Sequence, residues 1–375
     1  MTKLRDICRF QSGGTPSRGT PAYFNGNVPW ITTVALNGDV IDGNQAIEWI
    51  TDEAIAKSAA KIVPPHSVMV GTRVGIGKVA INSVPMSTSQ DIISLIGIDE
   101  NKWDKKFICH LITANKEHLT SQARGATIKG IKIEAIADLV LPEISLKEQA
   151  RISEVIGKVD ALMHMHQQMA MNLEQLIKSR FIELFGEPLS NQKGWQTMSI
   201  VEAAPIKSQR GDLADEVWLL NLDAVEAQTG TVLFKHRVQS GEINASTVYF
   251  TAESVLYSKL RPYLNKVVMP DEDGVATSEM IPMYPLADRL NRAYLCYWLR
   301  SDVFVRHISE KVAGAKMPRV SMDYFRSLAI EMPPLELQEQ FAAFVEQTDK
   351  SKLAVQKGLQ ELEILKKTLM QQYFG

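Results

Sequence analysis

The chain has 375 residues, with 41 Lys and Arg against 43 Asp and Glu, a formal net charge of −2 and 45% hydrophobic residues. That length allows two or three domains at about 100–200 residues each, and the charge excludes a globally basic nucleic-acid binder, so any such role must rest on local patches. Three scattered cysteines (Cys8, Cys109, Cys296) supply neither a disulfide framework nor a C-x-x-C metal knuckle, and no stretch reaches the roughly 18 apolar residues of a membrane span. A reducing, cytoplasmic setting is expected.

The first block, residues 1–142, is rich in Gly, Pro, Thr and short β-branched runs: Ser67-Val-Met-Val70, Lys78-Val-Ala-Ile81 and Ile92-Ile-Ser-Leu-Ile96. These predict short strands divided by turns, with a helix over Lys105 to Asn115. Residues 143–187 predict one long helix. Val155, Val159, Leu162, His166, Met169, Leu173 and Leu176 recur at spacings of three and four after Ile152, the pattern of a coiled-coil seam. Residues 188–334 return to short strands, Ser254-Val-Leu-Tyr257, Lys266-Val-Val-Met269 and Met280-Ile-Pro-Met283, with a helix over Ala293 to Ser301. Residues 335–375 predict a second long helix with a looser seam through Phe341, Phe344, Thr348, Val355, Leu359, Leu362, Leu365 and Leu369. Each long helix follows proline and closes near Phe-Gly, where glycine suits a helix terminus. At 1.5 Å per residue, a helix of roughly 35 residues is about 50 Å long.

The order of blocks is a tandem repeat. A shift of about 188 residues lays Trp30-Ile31 on Trp218-Leu219, Arg73 on Arg261, and Lys78-Val79 on Lys266-Val267, and brings Thr88-Ser89 near Thr277-Ser278. It also lays Leu139 to Gln149 on Leu328 to Gln340 and Phe185-Gly186 on Phe374-Gly375, with a two-residue gap opened and closed between them. Two similar globular domains held apart by a rod suit a bipartite site on duplex DNA, where about 50 Å spans roughly 15 base pairs. A two-headed structural or protein-interaction adaptor would use the same rod.

The repeat, Gly13-Gly-Thr-Pro-Ser17, the phrase Leu256-Tyr-Ser-Lys-Leu-Arg-Pro-Tyr-Leu-Asn-Lys266, Ala276-Thr-Ser-Glu279 and Leu335-Glu-Leu-Gln-Glu-Gln340 after two prolines together resemble the specificity subunit of a type I restriction-modification system. The resemblance covers essentially the whole chain. It implies an α+β architecture: two mixed α/β target-recognition domains in tandem, joined and separated by two long antiparallel coiled-coil helices. It further implies a non-catalytic subunit that reads a split, asymmetric double-stranded DNA target. Its implied partners are two copies of a DNA methyltransferase subunit and a translocating restriction endonuclease subunit. No catalytic residue, cofactor or metal is expected. Val63-Pro-Pro-His66 and Met332-Pro-Pro-Leu335 lack the flanks of an adenine-methyltransferase motif, and Gly75-Ile-Gly77-Lys78 reads as a strand turn, not a phosphate loop.

Candidate DNA contacts follow from residue chemistry: Lys, Arg and hydroxyls hold phosphates, while Arg and Asn read base edges. One patch holds Tyr257, Lys259, Arg261, Tyr263, Asn265 and Lys266, matched in the first copy by Thr72, Arg73 and Lys78. A charged strand edge would carry the same residues. The second precedes each helix: Arg124, Lys129 and Lys132, and later Lys316 and Arg319, among glycines that let backbone amides approach a phosphate. Thr15, Ser17 and Arg18 of the opening phrase join them. His164 and His166 are two residues apart, on different helical faces, and cannot share a metal ion. His166 is a polar seam residue that would set register. Trp30 and Trp218 are expected in the core.

Overall fold

The computed structural model describes residues 1–375 except 39, 126–128, 208–213, 244–245 and 315. Two compact units divide the chain: Met1–Met165 with Gly358–Gly375, and His166–Lys357. Each long helix is therefore shared, with one part in each unit.

In the first unit, a five-stranded sheet has the order Arg9–Ser12, Ile92–Ile96, Val68–Gly71, Val79–Asn82, Val40–Ile41, all antiparallel except the last pair. Its central strands are buried along their whole length, so their apolar runs are continuous and not alternating. A four-stranded sheet, Glu48–Ile50, Phe24–Ile31, Met86–Thr88, Ile62–Val63, has a parallel central pair with Trp30 opposite Ser87. The helix Lys105–Ala114 starts at Asp104, whose carboxylate accepts from the Phe107 amide at 2.6 Å, and buries Phe107, Ile108, Leu111 and Ile112.

The second unit repeats this plan. Val267–Val268, Val255–Ser258 and Met280–Met283 form a three-stranded antiparallel sheet. A four-stranded sheet, His236–Gln239, Glu216–Leu220, Gly274–Thr277, Thr247–Phe250, again has a parallel central pair, Trp218 opposite Gly274. The helix Arg292–Arg300 is capped by Asn291, which accepts from the Ala293 amide at 2.8 Å. Trp30 and Trp218 are both core residues, as expected.

The long helices span Leu146–Phe185 and Leu335–Phe374, both 40 residues, so one shift of 189 carries 146 to 335 and 185 to 374. No gap is needed, and the counterpart of Gln149 is Gln338, not Gln340. Both glutamines are buried and do the same work. Gln149 Oε1 accepts from the Asp104 amide at 3.0 Å, and Nε2 donates to the Lys102 and Ile144 carbonyls. Gln338 accepts from the Asn291 amide at 2.8 Å and donates to the Arg289 and Pro333 carbonyls. Each glutamine ties the foot of a long helix to the start of the capped helix in its own unit.

Within each unit the two helices run antiparallel. In the first, Asp160 pairs with Lys366 at 2.5 Å, and Ile152 and Ile156 group with Phe107, Met370, Tyr373 and Phe374. In the second, Glu174 pairs with Lys352, and Phe181 packs edge-on against Phe341 at 5.4 Å.

The seam is displaced from the expected one. Ile152, Ile156, Val159, Met163, His166, Ala170, Leu173, Ile177 and Phe181 are the sheltered positions of the first helix. Leu162, Met169 and Leu176 are 42%, 45% and 51% exposed, and Val155 is half-buried. On the second helix the sheltered positions include Phe341, Val345, Thr348, Val355, Leu359, Leu362 and Leu369; Phe344 is half-buried beside them and Leu365 is 45% exposed. Two apolar stripes lie side by side on the first helix. The globular units select one by packing Phe107 on Ile152 and Ile156, and Tyr294 on Phe181.

Candidate nucleic-acid interface

In each unit a strand hairpin and a loop far along the chain meet. The first hairpin joins Val68–Gly71 to Val79–Asn82 and closes with the Gly71 amide donating to the Lys78 carbonyl at 2.9 Å. The second closes with the Ser258 amide donating to the Lys266 carbonyl at 3.0 Å. The pre-helix loop is then laced to the hairpin. Ile131 donates its amide to the Thr72 carbonyl at 2.8 Å, and Val320 donates to the Lys259 carbonyl at 3.0 Å, the equivalent bond. The Arg261 backbone amide also donates a hydrogen bond to the Pro318 carbonyl at 2.8 Å. Gly130 is required for this approach, since a Cβ there would stand 2.8 Å from the Arg73 side chain and 3.3 Å from the Thr72 carbonyl oxygen. Both sequence patches thus form one surface in each unit.

Arg73, Lys78, Arg124, Lys129 and Lys132 are exposed on the first surface, with Arg73 only loosely paired to Asp91 at 3.5 Å. Part of this patch, residues 126–128, lies outside the described residues. On the second surface, Arg261 and Lys316 are exposed, Tyr263 stands 47% exposed at the hairpin tip, and Lys259 is half-buried. Arg319 is exposed but bound by both Glu279 oxygens, at 2.8 and 3.1 Å, and the carboxylate holds the guanidinium still more firmly protonated. Arg261 (φ 49°) and Asn265 (φ 49°) both take left-handed backbone around Pro262–Leu264. Such conformations cost energy for non-glycine residues and persist only when the surroundings enforce them. Gln228 supplies part of that bracing: its amide donates to the Leu264 carbonyl and its side chain to the Tyr263 carbonyl, both at 2.9 Å.

Four candidates turn inward instead. Thr72 is buried, its hydroxyl donating to the Asp91 carbonyl at 3.0 Å. Tyr257 lies in a fully buried strand, stacked on Phe325 at 5.0 Å, and burial pushes its hydroxyl pKa up. Asn265 occupies the left-handed position that Gly77 holds in the first hairpin and donates to the Arg300 carbonyl at 2.9 Å. Lys266 donates to the Leu222 carbonyl at 2.6 Å, and burial lowers its pKa. These side chains shape the surface without facing outward. Arg18 is committed to Glu48 and stacks over Phe24, its centre 4.8 Å from the ring. Ser17 beside it is exposed and Thr15 half-buried. The glycines of that phrase are structural, since a Cβ on Gly13 would strike the Ser89 carbonyl oxygen and one on Gly14 that of Ala59.

Sequence reading missed the partners that fix this surface, Gln228, Asp91 and Glu279, and the anchoring glutamines. Glu279 closes the phrase Ala276-Thr-Ser-Glu279, and Gln149 and Gln338 lie in the repeated stretches that open the long helices, but none of these positions shows its partner in the sequence. Among the described residues there is no group of three or more His, Cys, Asp or Glu able to hold a metal, and no helix long and apolar enough to cross a membrane. Gly75-Ile-Gly77-Lys78 lies in the first hairpin turn.

The chain is similar to known proteins in sequence and in fold. The specificity subunit of the type I restriction enzyme MjaIX from Methanocaldococcus jannaschii is 23% identical, covering 99% of this chain and 91% of the relative. The EcoR124I/EcoR124II specificity subunit of Escherichia coli is 30% identical over 42% of this chain and 40% of its own length. In fold, the chain is similar to the S subunit of a type I restriction-modification system from M. genitalium, with a TM-score of 0.58 at 15% identity, covering 100% of this chain and 95% of that one. The family model described as the type I restriction modification DNA specificity domain matches twice, at residues 1–175 and 192–364. With one match over each copy of the repeat, the chain belongs to the type I restriction-modification specificity subunit family.

Proposed function

We propose that each unit reads one half of a bipartite, asymmetric duplex DNA target through its laced hairpin and pre-helix loop, and that the chain itself is non-catalytic. The observation that carries this reading is the equivalent pair of bonds, Ile131 to Thr72 and Val320 to Lys259, which joins two basic patches in both units. Arg73, Lys78, Arg124, Lys129 and Lys132 would meet the first half-site, and Lys259, Arg261, Tyr263, Lys316 and Arg319 the second. The surfaces differ in side chains, so the two half-sites differ in sequence. Exposed lysines fix position on the phosphates, and a guanidinium reaching a guanine edge supplies discrimination of about 1–3 kcal/mol.

The paired helices set the unread spacer and dock the partners. Two methyltransferase subunits would sit on equivalent outward surfaces, centred on Leu176 of the first helix and Leu365 of the second, which are 51% and 45% exposed at the same position of the repeat. A restriction subunit joins through them, and the assembly works on DNA in the cytoplasm.

Lys259→Gln with Arg261→Gln tests the reading surface in the complex formed with the methyltransferase. Duplex binding should weaken and its salt slope fall; unchanged binding would remove these residues from the interface. Removing one heptad from each long helix should shorten the spacer in the methylated sequence and leave both half-sites intact. A methylated motif of unaltered spacing would refute the spacer role.

A further inference from the structure

In the first unit a groove of about 1260 Å³ runs between the helix Lys105–Ala114, the hairpin at Gly77 and Lys78, and the exposed Ala150, Gly157 and Ala161 of the first long helix. That is larger than the roughly 300–1,000 Å³ of a small-molecule pocket. The acids on its walls are all committed. Asp104 accepts from the Phe107 amide at 2.6 Å and the Ser153 hydroxyl at 2.7 Å, Glu154 pairs with Lys158 at 2.6 Å, and Asp160 pairs with Lys366 at 2.5 Å. Lys78, Lys106 and Lys116 line the same groove and form no ion pair among the described residues. Lys116 also lies against the hairpin, 3.2 Å from where a Cβ on Gly77 would stand. The groove is therefore a net cationic channel opening from the surface proposed to read DNA.

Among the described residues, the second unit does not repeat these lysines. Lys106 is the second residue of its helix, where Arg292–Arg300 carries Ala293, and Lys116 opens the next helix, where Asp302–Ser309 opens with Asp302. Thr113, on the groove wall, is replaced by Arg300, which is bound to Glu174 at 2.9 Å. A partner subunit docked at equivalent places on both repeats would require a repeated surface, and this one is not repeated. Asymmetric DNA meets the two units differently.

We infer that Lys106 and Lys116 form a phosphate-backbone track, which holds the duplex beside the half-site of the first unit without reading its bases. This rests on the proposed DNA-reading role of the hairpins. Each phosphate contact of a lysine steepens the dependence of log K on log salt by about 1 and acts alike on all sequences.

The test is Lys106→Gln with Lys116→Gln in the full chain assembled with its methyltransferase. The probes are a duplex carrying the methylated motif and a scrambled duplex of equal length. The salt slope should become shallower by about 2 on both, about one for each lysine neutralised. The ratio of the two affinities and the methylated motif should stay as in the wild type. An unchanged slope, a loss confined to the motif-bearing duplex, or failure to assemble with the methyltransferase would each overturn the track, the last by assigning the groove to a protein. Failure of the underlying reading looks different: the wild-type complex itself would not prefer its motif.

Discussion

The first unit grips the long helices with aliphatic side chains, one ring pair and a half-exposed ion pair, whereas the second grips them with a cluster of four rings and a buried arginine. In the second, Phe181, Phe185, Tyr294 and Phe341 form one aromatic cluster with centroid separations of 4.8–5.6 Å. Arg300, its side chain only 8% exposed, meets Glu174, which also holds Lys352. The first unit has Ile152, Ile156 and Val159, the Phe107–Phe374 pair at 5.0 Å, and Asp160 with Lys366, 40% and 31% exposed. The glutamine anchors, by contrast, are the same in both. Repeated polar anchoring with divergent packing indicates that helix direction is fixed in common, while each core is filled independently.

That contrast can be broken by mutation. Phe341→Ala should cost about 3–5 kcal/mol, the range for emptying a buried phenylalanine site, and Phe374→Ala, only half-buried, about half as much or less. Urea unfolding of the two variants measures both, and equal losses would erase the asymmetry. Glu174→Ala leaves the buried Arg300 unpaired and should cost about 3–5 kcal/mol. Asp160→Ala removes a pair open to solvent and should cost about 0–1 kcal/mol.

Gln149→Ala and Gln338→Ala sharpen the common part. Each strands a buried amide and two carbonyls, so each should cost about 1–3 kcal/mol, and similar values are expected of equivalent anchors. The smallest effect concerns pH. Burial lowers the pKa of His110, with Asp160 and Lys366 as opposing smaller influences. A group kept neutral in the fold contributes stability above its unfolded pKa of about 6.5, and loses it as the unfolded chain takes up the proton below that pH. Tyr297 occupies the matching helical position and burial raises its pKa, so it remains neutral throughout that window. His110→Tyr should therefore flatten the stability profile below about pH 6.5; an unaltered profile would deny His110 this role.

Much of this was legible in the chain. The repeat and both long helices follow from period and punctuation, and Lys, Arg and Gly stand in matching places in the two basic patches. The seam was misplaced because Leu162, Met169 and Leu176 make as good a heptad stripe as Ile156, Met163, Ala170 and Ile177. Only tertiary packing distinguishes the two. Tyr257 and Asn265 were misassigned for a related reason: when a strand is covered on both faces, alternation gives no outward side, and a left-handed asparagine looks like any other polar residue. The cationic groove is marked in the sequence only by Lys106 and Lys116, on two successive helices, whose counterparts in the other copy are not basic.

The two long helices exchange ends between the units, and this has a consequence during synthesis. Residues 166–357, the whole second unit, have emerged before Gly358–Gly375 can supply the last helical wall of the first. Until then Phe107, Ile152 and Ile156 lack Phe374 and its neighbours. The half of the protein made first is the half completed last, and its closure is a contact between residues more than 200 positions apart, the kind that slows folding.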